Sequence, residues 1–395
     1  MYPKHIEDII RRLENSGESA YIVGGSLRDT LLGKTPHDYD VATSALPEKT
    51  VEIFSDKRVI ETGIKHGTVT LIWDGEPVEI TTFRVDGSYT DSRHPDAVSF
   101  TSDIVADLSR RDFTVNAMAY NKKDGLKDPF GGAEDIGAKI IRAVGDPEDR
   151  FSEDALRIMR AFRFCAQLGF EIDGATLDGA VNAKNGLANI ARERIGQEFL
   201  RLITSPYAGK ALGIMADTGV LEYVLGTHRL SRKVIENIDG MPFEDTARLG
   251  FVLYGADRDT AAEILRGLRL SSKQITGALA TLTGCSVEVR SPENARRLIA
   301  KTGIYARAAA CGSCLLGVSP DGAEEIVIRQ QSTPCSLKKL KINGKALAEM
   351  GARGKLIGEV LDALMERVIE QPALNDEQIL RDLAKKMIDE RGAED

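Results

Sequence analysis

The sequence predicts an α+β fold in which a mixed sheet near the N-terminus is followed by an all-helical body and tail. Runs rich in Val, Ile, Thr and aromatic residues, which favour strands, fall within roughly the first 125 residues. Beyond about residue 150, apolar residues recur at spacings of three and four, and Gly and Pro fall mainly between the periodic stretches. A chain of 395 residues is expected to form about two to four domains.

Composition excludes several classes of protein. No run approaches the roughly 18 apolar residues of a membrane span, and the charged N-terminal stretch lacks the apolar core of a signal peptide. Five scattered Cys are too few for a disulfide scaffold, so we expect a reducing, cytoplasmic environment. The net charge of −8 excludes a globally basic nucleic-acid binder but is compatible with a local basic groove.

The first predicted elements alternate between strands and short helices. An apolar run at 20–24 ends in glycines and indicates a buried strand, followed by a helix that Gly33 closes. A second strand is predicted at 38–42. The next helix is expected to begin at Pro47, because proline is favoured at the first helical position.

A hairpin and a polar loop follow. Residues 67–73 and 77–85 are rich in Val, Ile, Thr and aromatic residues and are separated by Asp74-Gly75-Glu76, which is typical of a β-hairpin. Residues 86–99 are polar without a period, so we expect a mobile loop. A turn or short helix then leads into a strand within 107–121, and the turn at 128–132 ends the sheet region.

The remainder is predicted to be helical. A helix is expected within 151–170, with Ser152 as its N-cap, and further helices are expected to about 391. We therefore divide the chain into three regions: 1–145, 146–230 and 231–395.

Asp38 and Asp40 are the first candidate catalytic residues. Residues i and i+2 of a strand share a face, so the two carboxylates are expected to lie side by side. Like charges at that distance repel unless a cation neutralises them, and Mg²⁺ is commonly held by two carboxylates and substrate phosphates. Two solvated acids at an exposed strand edge would give the same pattern. Glu79, on a strand that could pair alongside, is either a third acid of the site or an outward-facing residue.

Gly24, Gly25 and Arg28 are candidate phosphate-binding residues. Glycines between a strand and a helix let the backbone approach a phosphate, and Arg28 adds a bidentate donor. A tight turn alone would also explain the glycines. The segment matches neither a Walker loop nor the dinucleotide fingerprint.

Two arginine-rich segments complete the candidate site. Arg111, Asp112 and Asn116 could hold a triphosphate or the sugar of a nucleotide, or could form only a surface ion-pair cluster. An acid beside an arginine, as at Asp154 and Arg157, could read the hydrogen-bonding edge of a base. Arg160 and Arg163 continue at three-residue spacing and could hold phosphate.

Two other features are less specific. Cys311 and Cys314 have CxxC spacing without a second pair or a His cluster, so a metal or redox role is disfavoured. The short basic run 338–341 is either a solvated face or a contact for an RNA backbone.

Taken together, these motifs resemble one known family, the bacterial class II tRNA nucleotidyltransferases, or CCA-adding enzymes, whose head is polymerase-β-like. The resemblance is dense over 17–170 and continues at 193–203. It is carried in order by VGGSLRD, DYD, VEITTFR, DLSRRDFTVNAMAY, DPFGG, RFSEDALRIMRAFRF and ERIGQEFLRLI.

The resemblance implies specific roles. Residues 1–145 would form the catalytic head, 146–230 the nucleotide-recognition neck and 231–395 a tRNA-binding body and tail. Asp38 and Asp40 would bind Mg²⁺, and the loop 86–99 would help to switch from C to A addition. The remaining residues would bind the nucleotide, with Asp154 and Arg157 pairing with the base of CTP or ATP: Gly24, Gly25, Arg28, Arg111, Asp112, Asn116, Asp154, Arg157, Arg160 and Arg163.

Alternatives within and beyond the family remain. A poly(A) polymerase, or an enzyme that adds only CC or only A, shares the head, although the long polar loop and the acidic C-terminus favour complete CCA addition. A catalytically silent RNA-binding homologue would have little reason to keep two repelling acids on one strand. We expect tRNA, CTP and ATP as partners, no membrane, and a monomer or homodimer.

Overall fold

The computed structural model describes residues 2–36, 38–86 and 98–392. The chain forms two compact units, Met1–Gly226 and Thr227–Asp395. The first unit contains the first predicted region and the second one up to residue 226, so the boundary at residue 145 stays a prediction. Within the described residues, no helix is long and apolar enough to cross a membrane. The cytoplasmic location and the monomeric or homodimeric state also stay predictions.

The first unit is built on a seven-stranded mixed sheet in the order β3-β4-β5-β2-β1-β8-β9. The strands are β1 (Ala20–Val23), β2 (Asp40–Thr43), β3 (Arg58–Ile60), β4 (Thr68–Trp73), β5 (Glu76–Thr82), β6 (Arg84–Asp86), β7 (Val98–Phe100), β8 (Ala119–Asn121), β9 (Gly125–Lys127), β10 (Ile140–Ile141) and β11 (Glu171–Ile172). Strands β2 and β5 pair in parallel, whereas β4 and β5 form the predicted antiparallel hairpin. The predicted mixed sheet is confirmed.

Helices surround the sheet and make up the second unit. The first unit contains α1 (Lys4–Asn15), α2 (Gly24–Leu31), α3 (Pro47–Ile53), α4 (Ile104–Ser109), α5 (Gly132–Ala138), α6 (Pro147–Glu153), α7 (Leu156–Leu168), α8 (Gly174–Ala183), α9 (Arg192–Ile203), α10 (Ala208–Asp217) and α11 (Glu222–Leu225). The second contains α12 (Arg232–Asn237), α13 (Asp245–Val252), α14 (Arg258–Gly267), α15 (Ser272–Cys285), α16 (Pro292–Thr302), α17 (Ala306–Leu315), α18 (Ala323–Gln330), α19 (Gly344–Glu349), α20 (Lys355–Glu370) and α21 (Glu377–Gly392).

Helix α7 belongs to the same core as the sheet. Its buried Ala161 and Phe164 join the cluster that α1 and the sheet strands form. The rings of Phe164 and Phe113 meet edge to face, with centroids 5.7 Å apart, a favoured aromatic geometry. The arginines of α7 are therefore held rigidly relative to the sheet.

The prediction of Ser152 as the helix N-cap is wrong. The chain leaves the helical conformation at Asp154 (φ −144°, ψ 100°), which separates α6 from α7. Ser152 lies inside α6, and the N-cap of α6 is Asp146, whose carboxylate accepts hydrogen bonds from the backbone N–H groups of Glu148 and Asp149. The apolar residues of α7 keep their helical spacing up to the break, so their pattern gives no sign of it.

The predicted mobile loop at 86–99 falls largely outside the described residues, which omit 87–97. Its two ends pair as the antiparallel strands β6 and β7. The proposed switching role of this segment stays a prediction.

Helix packing in the second unit relies on small residues. A Cβ at Gly250 would lie 2.5 Å from the carbonyl oxygen of Ala278, and a Cβ at Gly284 would lie 2.4 Å from the Cβ of Ala309. Cys311 and Cys314 lie on α17, and the five cysteines are free thiols. Burial raises the pKa of Cys311 to about 11, which makes its thiolate scarce at neutral pH.

We predict that Gly132→Ala destabilises the first unit. An added Cβ would lie 2.2 Å from the carbonyl oxygen of Thr114, so backbone has to move, at a cost of about 1–3 kcal/mol. Gly137→Ala, in the same helix but with open space around its Cβ, is the matched control and should stabilise the helix by about 0.5–1 kcal/mol. Urea unfolding midpoints measure both. Equal urea midpoints for Gly132→Ala and Gly137→Ala would contradict the close approach of Gly132 to the carbonyl oxygen of Thr114.

Candidate functional site

A cleft of about 690 Å³ opens in the first unit. All thirteen candidate residues chosen from the sequence line it, although they come from five separate segments of the chain. Among the described residues, its lining contains nine arginines and five carboxylates. This net positive lining in a chain of net charge −8 is suited to a polyphosphate.

The carboxylates lie on the central strands of the sheet. Asp40 is the first residue of β2, and Asp38 lies in the bend just before it. Asp40 pairs in register with Glu79 of the parallel strand β5, which confirms the expected pairing of these two segments. The three acidic side chains are exposed in the cleft.

The environment of Asp40 is deficient in positive charge. Enclosure by the cleft, and next the carboxylates of Glu79 and Asp38, raise the pKa of Asp40 to about 6, while Arg111 acts in the opposite direction. Carboxylates that resist ionisation together are suited to a bound cation. In the part of the chain that the structure describes, no three His, Cys, Asp or Glu side chains are arranged to hold a metal. Two carboxylates with substrate phosphates are sufficient for Mg²⁺.

The phosphate-binding candidates lie beside these acids. Strand β1 ends at Val23, and α2 begins at Gly24 with φ +71°, a conformation that side chains rarely adopt. A Cβ at Gly24 would lie 3.2 Å from Nη1 of Arg111 and 3.6 Å from Oδ2 of Asp40. The bare backbone therefore lets a ligand approach between the acid and the arginine.

A buried network connects Arg28 to α7. Arg28 Nη1 donates to Asn116 Oδ1 at 2.7 Å, and Asn116 Nδ2 donates to Asp112 Oδ1 at 3.2 Å. Arg160 donates to Asp112 Oδ2 through Nε at 2.7 Å. Burial acts to raise the pKa of Asp112, but Arg160 and the hydrogen bonds outweigh it and hold that pKa below its usual value.

Phe164 supports three of the arginines. The guanidinium carbons of Arg28, Arg160 and Arg163 lie 5.2, 5.4 and 4.0 Å from the centre of its ring. A ring face attracts cations, so Phe164 offsets part of the repulsion among the three. The sequence motifs do not single out Phe164.

Two further acids that the sequence did not single out hold arginines in place. Glu198 of α9 is buried and accepts from Arg163 Nε at 2.5 Å. Asp107 of α4 is buried and pairs with Arg110 and Arg111 at 2.7 and 3.2 Å. The spacing of Asp107 from these arginines, three and four residues, is a local signal that could have identified it. Glu198 is 35 residues from Arg163 and has no such signal.

The break at Asp154 shapes the candidate base-reading site. Asp154 Oδ1 accepts from the backbone N–H of Leu156 at 3.0 Å, and Oδ2 pairs with Arg194 at 3.0 Å. Arg157 donates to Glu153 at 2.6 Å and to the backbone carbonyls of Arg150 and Arg110. Both side chains are therefore oriented before any ligand binds.

Comparison with known proteins agrees with this arrangement. The family model described as the poly A polymerase head domain matches residues 20–142, and one described as a probable RNA and SrmB-binding site of polymerase A matches 169–228. The CCA-adding enzyme of Geobacillus kaustophilus is 36% identical over 386 residues, which cover 94% of this chain and 93% of that relative. The chain belongs to the CCA-adding enzyme family. It is a nucleotidyltransferase, as the motifs predicted.

Solved CCA-adding enzymes share the fold. The Bacillus stearothermophilus enzyme, solved in complex with CTP, superimposes with a TM-score of 0.84 at 32% identity, and all of both chains is covered. The Thermotoga maritima enzyme, solved with tRNA, superimposes with a TM-score of 0.71 at 23% identity over 98% of this chain and 96% of that one. The predicted fold class is confirmed. Nucleotidyltransferases of this family generally use a divalent metal.

We predict that Asp40→Asn stabilises the metal-free protein at pH 8. The folded-state pKa of about 6 lies above the unfolded value of 3.8, so folding favours the protonated acid, and stability falls as the pH rises between those values. Asparagine cannot ionise, so it removes the free-energy cost that the ionised Asp40 imposes on the folded state. We expect a melting temperature roughly 2–4 °C above wild type at pH 8, with the difference shrinking as the pH falls towards 4.

Asp56→Asn is the control of opposite sign. The hydrogen bond from Arg12 lowers the pKa of Asp56, so its loss should lower the melting temperature at pH 8 or leave it unchanged. A melting temperature for Asp40→Asn at or below wild type at pH 8 would contradict the proposed charge deficiency.

Proposed function

We propose that this chain adds C, C and A in turn to the 3′ end of tRNA, using CTP and ATP and releasing pyrophosphate, without a nucleic-acid template. The observation that carries the proposal is the cleft itself, in which paired acids, a glycine turn and nine arginines share one surface. Full-length similarity to CCA-adding enzymes supports complete CCA addition over poly(A) synthesis.

The acids and the glycine turn would handle the triphosphate. Asp38 and Asp40 would hold Mg²⁺, with Glu79 as the third acid beside them. Bound there, the metal supplies neutralisation of the charge that develops on the reacting phosphate oxygens. The backbone at Gly24 and Gly25 would contact the phosphates. Arg28, oriented by Asn116, and Arg111 would donate to their oxygens.

The base would be read by Asp154 and Arg157. Cytosine and adenine both present an amino donor beside a ring-nitrogen acceptor, whereas guanine and uracil present a carbonyl where the amine would be. A fixed carboxylate that accepts a hydrogen bond and a fixed guanidinium that donates one match cytosine and adenine. They do not match guanine and uracil. Because partners inside the protein hold both side chains, the protein would supply the template.

Two features support tRNA as the acceptor. The match to a probable RNA-binding region covers 169–228. In the second unit, the segment 336–355 carries a single acid, Glu349, and six exposed cations: Lys338, Lys339, Lys341, Lys345, Arg353 and Lys355. Such a cluster is suited to an RNA backbone. The cluster therefore favours contact with an RNA backbone, rather than a merely solvated face, for the basic run at 338–341.

The deciding experiment is primer extension. Purified protein with Mg²⁺ is given three labelled tRNA transcripts, which lack CCA, end in CC, or end in CCA, with CTP and ATP supplied singly and together. We expect the first to gain CCA, the second to gain A and the third to stay unchanged. Products that stop after CC, or extension of the second transcript alone, would indicate a partial enzyme. A long A-tail would indicate a poly(A) polymerase. No product at all would indicate a silent RNA-binding protein.

We predict that Asp154→Ala blurs the choice of nucleotide. Loss of the acceptor for the amino group removes discrimination worth about 1–3 kcal/mol, so incorporation of UTP and GTP relative to CTP and ATP should rise roughly tenfold or more. Triphosphate affinity should change less, because Arg28 and Arg111 are intact. Asp178→Ala, an exposed acid on α8, is the control. Unchanged selectivity in Asp154→Ala would rule out the base-reading role.

A further inference from the structure

The open face of strands β4 and β5 continues the cleft beyond the acids. Burial alternates along both strands, with Val69, Leu71, Val78 and Ile80 buried and polar residues on the other face. On that polar face Thr68 pairs in register with Thr81, and their hydroxyl oxygens lie 3.0 Å apart. Both threonines line the cleft, as does Arg84 just after β5. None of these three residues has a role in the nucleotide site described above.

The order of strands places this surface opposite the glycine turn. The sequence β4-β5-β2-β1 sets Asp40 of β2 between Thr81 of β5 on one side and Gly24, which follows β1, on the other. Neighbouring strands are about 4.8 Å apart, so roughly 14 Å separates β1 from β4. This span has room for a triphosphate on one side of the acids and an RNA end on the other.

The chemistry of phosphoryl transfer decides which ligand belongs where. The attacking and leaving oxygens lie roughly in line on opposite sides of the phosphorus. With pyrophosphate leaving towards Gly24, Gly25 and Arg28, the attacking 3′-hydroxyl has to arrive from the side of β5 and β4. The acids between the two sides would then lie at the reacting phosphorus.

We propose that Thr68, Thr81 and Arg84 bind the sugar and phosphate of the 3′-terminal nucleotide of the acceptor RNA and direct its 3′-hydroxyl towards Asp40. This inference rests on the proposed function and adds the acceptor side of the same site. Threonine hydroxyls both donate to and accept from ribose, and arginine matches phosphate.

The type of these side chains also fits the task. During CCA addition the terminal nucleotide of the acceptor changes at each step, so its binding site has to be independent of the base. Contacts to sugar and phosphate fix the position of a strand without reading its sequence. Arg84 is anchored for this role: its backbone N–H donates to buried Asp107 at 3.2 Å, and its Nη1 donates to the carbonyl of His66 at 2.7 Å.

The test measures the use of the acceptor RNA separately from the binding of the nucleotide. Single-turnover extension by CTP of an RNA minihelix lacking CCA gives kcat/KM for the RNA, and equilibrium dialysis gives the Kd for CTP with Mg²⁺. We expect Arg84→Met to lower kcat/KM for the minihelix about tenfold or more, the loss typical of a charge-assisted hydrogen bond. Thr81→Val should lower it about threefold to tenfold. The Kd for CTP should stay within about twofold in both variants, which also verifies folding.

A matched control comes from the same sheet. Arg58→Met, an exposed arginine on β3 outside the cleft lining, should behave as wild type. Arg84→Lys keeps the charge and loses the bidentate geometry, so an intermediate defect is expected.

Two results would overturn the proposal. Unchanged minihelix kinetics in Arg84→Met and Thr81→Val would mean that the surface does not contact the acceptor. A parallel loss of CTP affinity would place it on the nucleotide side. A wild-type protein that extends no minihelix would instead refute the proposed function, and the two failures are thereby distinguishable.

Discussion

One buried carboxylate, Asp112, couples the two halves of the cleft. It accepts from Arg160 of α7 on one oxygen and from Asn116 on the other, and Asn116 in turn orients Arg28 beside the glycine turn. An ionised acid removed from water is tolerated only when its partners are complete, and removing one partner of such a buried pair costs about 3–5 kcal/mol. The network therefore has a single favourable arrangement. It fixes the helix that carries Arg157, the proposed base-reading residue, relative to Arg28 and the glycine turn, although they lie on different elements.

The cleft also contains the opposite electrostatic situation. Asp112 has more positive partners than its charge requires, whereas Asp40 faces Glu79 and Asp38 with Arg111 as its opposing cation. The first arrangement makes a rigid frame. The second stores repulsion that a bound cation would relieve, so affinity for a metal would be gained at the expense of stability in its absence. Both arrangements are built from acidic residues and arginines, and they differ in the number of arginines close to the central aspartate.

The sequence predicted those parts of the site that short-range chemistry controls. The β4–β5 hairpin, the helix at Pro47 and the lining residues follow from turn residues, strand alternation and motif spacing. The break at Asp154 did not, because the flanking residues are ordinary helix formers and the apolar period continues beyond it. Glu198 also escaped prediction, since its partner Arg163 is 35 residues away and only the packing of α9 on α7 unites them. Local patterns reveal which residues can act, whereas the acids that orient them are set by tertiary structure.

The fixed geometry of Asp154 and Arg157 also limits what the base-reading pair can achieve. Carboxylate and guanidinium distinguish an amine from a carbonyl, and cytosine and adenine offer the same donor beside an acceptor. In their proposed role, these two side chains would exclude G and U without ranking C against A. The remaining difference between C and A is size, because a purine fills more of the cleft than a pyrimidine. With the acceptor end on the side of β4 and β5, as proposed, the order of addition would depend on how much of the cleft the growing RNA end leaves open there.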